Sequence, residues 1–203
     1  MIDFTMAIKR LEKKARWLLL AFVIAASISV VNAALFVYYE VRIYAQGQIP
    51  PVIFAPGKSA NGTDLWGYPI LVSFDSTNTS LTITVHPTYR THFYKNITLI
   101  VNRDSNIYYL AFNVTKAFTE SKIAEAKLII RDVNKNKIAE INLKATGLQE
   151  WSIELSGGGK LTIDLYLKIN PGSGNNFNNP PFSSDNAELQ LIYSPQNAEH
   201  PED

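Results

Sequence analysis

The chain has 203 residues, 46% hydrophobic and 18% charged, with a net charge of +1. That is room for one domain with a sizeable core plus an appendage, and too little for two ordinary domains. The absence of cysteine excludes a disulfide framework and thiolate metal sites. Residues 1–33 carry five Lys/Arg against Asp3 and Glu12, leaving 14 basic and 16 acidic residues for the rest. No basic stripe is left to attract nucleic acid.

The N-terminus places a basic segment, Lys9 to Arg16, before the uncharged run "WLLLAFVIAASISVV" from Trp17 to Val31. A basic stretch followed by an apolar one is the export pattern. Val31 and Ala33 are small enough for the −3 and −1 pockets of signal peptidase, which predicts a cut between Ala33 and Ala34. Uncharged residues nevertheless continue to Tyr39, 23 in all from Trp17, long enough to span a bilayer. Composition alone therefore leaves both a cleaved signal and a retained anchor open.

The pattern after Ala33 favours cleavage. Leu35, Val37, Tyr39, Val41, Ile43 and Ala45 recur at period two, with Phe36, Tyr38, Glu40, Arg42 and Tyr44 between them. The period and the β-branched and aromatic residues read as a strand. "GQIPP" follows, and Pro50 and Pro51 lack backbone donors, which separates this strand from what comes next. Pairing within its own domain is the simpler alternative. The expected layout is a signal peptide over 1–33, an N-terminal strand and hinge over 34–48, a β-sandwich over 49–195 and a disordered tail over 196–203.

The body reads as about ten short strands. "PVIFA", "YPILVSFD", "SLTITV", "NITLIV" and "NIYYLAFNVT" come first. "AKLIIRD" and "KIAEINL" flank "VNKN", and "WSIEL" and "KLTIDLYLKI" flank "SGGG", two hairpin signals. Leu161, Ile163, Leu165, Leu167 and Ile169 make one buried face, and "AELQLIYS" closes the series. A short helix is expected over Lys116–Glu125. The fold class is all-β, a jelly-roll-like sandwich. Such a fold has edges whose backbone groups can pair with a further strand.

Catalytic signatures are missing. His86 and His92 are six apart, without metal-ligand helical spacing, and no His-Glu-x-x-His occurs. No nucleophile elbow is present. "SGGGK" lacks the phosphate-loop spacing, and Asp185, in a loop-forming stretch, lacks the acidic spacing of a calcium loop. No catalytic residue, metal or cofactor is assigned. Four Asn-x-Ser/Thr sequons, at Asn61, Asn78, Asn96 and Asn113, become glycan acceptors if the chain is exported. Asn61 and Asn78 fall in predicted loops and are the better candidates.

The stretches "LTIDLYLKINPGSGNNFNNPPFSSDNAELQLIYSPQ" and "NITLIVNRDSNIYYLAFNV", with a signal and an apolar strand ahead of them, resemble the TasA/camelysin-like proteins and the archaeal bundling pilins of the same architecture. The resemblance implies a secreted subunit of a cell-surface or biofilm filament. It also implies polymerisation by donor-strand complementation, with Leu35, Val37, Tyr39, Val41 and Ile43 filling a groove of the next copy. The partners implied are further copies of the chain, with lateral bundling between filaments, and a membrane only before signal cleavage. Camelysins have been classed as metalloproteases, but no metal-peptidase motif supports carrying that activity over. Three alternatives remain open at this stage. They are a membrane-anchored surface sandwich, a type IV pilin-like subunit cut between Ala15 and Arg16, and a secreted carbohydrate-binding or hydrolase module.

Overall fold

The computed structural model describes residues 12–25, 39–64, 67–88, 90–170 and 180–197. The chain divides into two units, Met1–Gly47 and Gln48–Asp203. In the first, residues 12–25 form a helix, and 39–47 are extended without a strand ladder. No helix among the described residues is long and apolar enough to cross a membrane. The cleavage pair Ala33–Ala34, and Leu35 and Val37 of the proposed strand, lie outside the described residues.

The second unit is all-β, with ten strands among the described residues: β1 Val52–Pro56, β2 Leu71–Phe74, β3 Leu81–Thr84, β4 Thr91–Asn102, β5 Tyr108–Lys116, β6 Ile123–Arg131, β7 Lys137–Asn142, β8 Gly147–Leu155, β9 Lys160–Ile169 and β10 Glu188–Ser194. They form a five-stranded sheet, β1-β4-β9-β6-β7, a three-stranded sheet, β10-β5-β8, and a β2-β3 ribbon. All named pairings are antiparallel.

The apolar alternation read in β9 is the reason it sits centrally. Leu161, Ile163, Leu165, Leu167 and Ile169 are all buried. They belong to the same core as Leu110, Phe112 and Val114 of the three-stranded sheet. Burial of this kind stabilises by roughly 1.5–3 kcal/mol per large side chain. The opposite parity of β9 carries Thr162, Asp164, Tyr166 and Lys168. Asp164 is nonetheless buried. Its Oδ1 accepts the Asn96 backbone N–H at 2.7 Å, and its Oδ2 accepts Arg131 Nε at 2.7 Å. Asn96 sits where the β4–β9 register shifts, with φ 53°. The carboxylate thus satisfies a backbone donor that the bulge removes from the ladder.

Two expectations need correction. "SGGG" is not a hairpin, because β8 pairs with β5 and β9 with β4 and β6. The loop instead crosses between sheets and is tied to residues 102–106. Gly158 N–H donates to Asp104 O at 2.8 Å, and Asn102 Nδ2 donates to Ser156 O at 3.0 Å. A Cβ at Gly157 would collide with the Ser105 backbone, so the glycine serves a close approach and not a tight hairpin. No helix forms over Lys116–Glu125: β5 runs to Lys116 and β6 begins at Ile123. Donors there find tertiary acceptors. Phe118 N–H bonds Leu143 O at 2.9 Å, and Thr119 and Glu120 N–H bond the Asp185 carboxylate at 2.8 and 2.6 Å. The "VNKN" segment does join a hairpin, β6–β7.

Candidate functional site

The sandwich is open along one side. Among the described residues β10 has one partner, β5, and β3 has one partner, β2. Between their free sides lies a cleft described by two adjoining hollows of about 780 and 660 Å³. Both hollows are lined by Leu81, Thr82 and Ile83 on one bank and by Ala187, Leu189 and Gln190 on the other. Consecutive residues line each bank, so the cleft meets the strands at their backbone edges and not only at alternate side chains. Its floor is core: Phe112 and Ile163 face one hollow, Ile123 and Leu167 the other, and Leu165 both. Leu81, Ile83, Val85, Leu189 and Leu191 pack on the core yet stay half-buried.

Edge protection distinguishes these two strands from the edges of β1, β7 and β8, while β2, the other strand of the ribbon, reads "LVSF" and is likewise unblocked. The β7 edge carries Lys137 and Glu140. β8 is distorted by positive φ at Glu150 and Ser152, and Gln149 ties it to Asn142 on β7. β1 ends in Pro56. β3 reads "LTIT" and β10 reads "ELQLIYS". Neither has the lysine or proline that commonly blocks edge pairing.

The long axis of the cleft has two distinguishable ends. One is lined by Pro50, Thr79, Ser80, Leu191 and Tyr193. The other is lined by Thr84, Val85, Pro87, Asp185, Asn186 and Glu188. β3 and β10 therefore run in opposite directions across it.

In the N-terminal unit, Tyr39, Val41 and Ile43 are 85%, 78% and 89% exposed. Glu40 and Arg42 share an ion pair of 2.7 Å between residues two apart, as side chains on one side of an extended segment do. The structure therefore brings together the two banks of the cleft. Sequence reasoning could not identify β3 and β10 as the banks. The only available signal was the lack of charge and proline in β3 and in the middle of β10.

The sequons are unequal. Asn61 is exposed, in a turn with φ 61°. Asn78, also at positive φ, is half-buried and uses its carbonyl to accept Phe54 N–H at 2.8 Å. Asn96 Oδ1 is buried without a hydrogen-bond partner. Asn113 is half-buried in the middle strand of the three-stranded sheet, 3.5 Å from Gln190 Oε1.

The histidines have structural surroundings. His92 is buried, and its Nε2 accepts the Thr88 backbone N–H at 2.9 Å. His86 stacks on Tyr68 at 5.0 Å. Asp64 accepts both the His86 backbone N–H, at 2.9 Å, and the Tyr94 hydroxyl, at 2.8 Å. Burial and this carboxylate push the Tyr94 hydroxyl well above the ordinary phenol value. Burial works to raise the Asp185 carboxyl, but the backbone donors of Glu120, Asn186 and Thr119 outweigh it and hold the group low. No group of three or more His, Asp or Glu able to hold a metal occurs among the described residues.

No family model matches the chain, and no curated protein matches it significantly.

Proposed function

We propose that this chain is the structural subunit of an extracellular filament and polymerises head to tail. The N-terminal segment of one copy enters the β3–β10 cleft of the next. The observation that carries the reading is the cleft itself, apolar at its floor and bounded by two strand edges without blocking residues. A strand offers such a cleft backbone donors and acceptors for the edges and alternate side chains for the floor. Leu35, Val37, Tyr39, Val41 and Ile43 supply that alternation. Five such side chains bring on the order of 10 kcal/mol of gross burial, from which association and ordering costs are subtracted. Because donor and acceptor are different surfaces of one chain, the contact is heterologous and propagates as a filament when its rotation does not close a ring.

The exported form is the mature chain after cleavage between Ala33 and Ala34. Replacing Val37 and Val41 together by Asp puts charges where the cleft is apolar, at several kcal/mol. Electron microscopy and sedimentation of the secreted variant should find folded, soluble subunits and no fibres. Normal fibres from the variant would reject the reading. Unfolding of the isolated variant subunit would assign the segment to its own core.

A further inference from the structure

We infer that the incoming segment lies antiparallel to β10 and parallel to β3, with Val41 opposite Leu189 and Arg42 opposite Glu188. The inference rests on the filament reading above and assigns it a direction and a register. Two independent observations lead to it.

The first is where the chain enters its own body. Pro50, immediately before β1, lines the Tyr193 end of the cleft. The N-terminal segment of every copy therefore departs from that end, toward the copy that receives it. The copy that fills this cleft must lie off the other end, beside Val85 and Asp185. Otherwise two neighbouring bodies would compete for the space the departing segment crosses. The base of the incoming segment then lies at the Asp185 end and its tip at the Tyr193 end. That is opposite to β10, which runs from Glu188 to Ser194.

The second is side-chain complementarity. In an antiparallel pair with Val41 opposite Leu189, Tyr39 meets Leu191 and Val37 meets Tyr193 on the cleft side. On the outer side Arg42 meets Glu188 and Glu40 meets Gln190. Directly opposed opposite charges favour a strand pair, and like charges disfavour it. A two-residue slip in one direction sets Glu40 against Glu188. A parallel strand that pairs Arg42 with Glu188 puts Ile43 opposite Leu189 and leaves Leu35 to Val41 beyond the start of β10. The seven residues of β10 extend over roughly 20 Å at strand rise, enough for the stretch from Phe36 to Arg42.

The chain has no cysteine, so engineered pairs report cleanly in fibres of the full secreted subunit. Tyr38→Cys with Ile192→Cys should give a ladder of disulfide-linked multimers on a non-reducing gel, and Arg42→Cys with Ile192→Cys should not. The reverse result would overturn the direction and leave the filament reading standing. Linkage by neither pair in well-formed fibres would overturn the placement of the segment beside β10 and leave the filament standing. Register is read separately, and needs no cysteine. Arg42→Glu should slow assembly several-fold, and adding Glu188→Arg should restore the rate. Failure of the double variant to recover would overturn the register.

Discussion

Asp164 shows what a single residue does in this sandwich. Its carboxylate is 3% exposed and holds both the displaced Asn96 amide and Arg131. Replacing it with Ala strands a buried donor and an unpaired guanidinium, at a cost on the order of 3 kcal/mol. Chemical denaturation should report that loss as a lowered midpoint. Gly157 makes a comparable point with a smaller atom count. Gly157→Ala forces a Cβ against the Ser105 backbone, an overpacking worth about 1–3 kcal/mol. Its midpoint should also fall, whereas at Gly47, with open space around it, the same substitution should leave the midpoint in place. The sequons divide by the same local geometry. Glycopeptide mapping of native material should find glycan on Asn61 before any other acceptor, and none on Asn96, whose Oδ1 is buried.

At the scale of elements, strand identity was legible and strand partnership was not. The alternation in "KLTIDLYLKI" gave β9 its limits and its buried face, because period two is local. "SGGG" misled because a glycine run satisfies a tight turn and a close backbone crossing equally well. What decides is Asn102, more than fifty residues earlier, whose amide reaches Ser156 O. The expected helix over 116–125 failed for a similar reason, since Asp185 captures the amides of Thr119 and Glu120. The start of β4 was missed because "THFYK" carries polar residues, although His92 and Tyr94 turn inward. The cleft was the least legible feature. It arises from two strands about a hundred residues apart, each without a second neighbour among the described residues.

For the whole molecule, acid is the informative variable. Hydrogen bonds hold several carboxyls below their ordinary values: Asp104 through Tyr108, Glu125 through Lys168, Asp132 through Asn136 and Glu140 through Lys127. Groups lowered on folding contribute stability that is complete above the unfolded value, about 4. It is lost as pH falls through the folded values. The thermal midpoint of the subunit should therefore stay level from neutral pH down to about 5 and drop only below that. A midpoint that rises as carboxyls protonate would contradict the sign. These groups lie away from the cleft floor, so mild acid should leave assembled fibres intact.

The central claim is that a strand from another copy occupies the cleft between β3 and β10. A side-chain-resolution reconstruction of the native filament tests it most directly. The expected result is an added strand hydrogen-bonded to β10 from Glu188 to Ser194, with alternate side chains over Leu165 and Phe112. That strand should continue through Gln46–Pro51 into the body of the adjacent subunit. A cleft left empty in the filament, or filled by the subunit's own N-terminal segment, would contradict it.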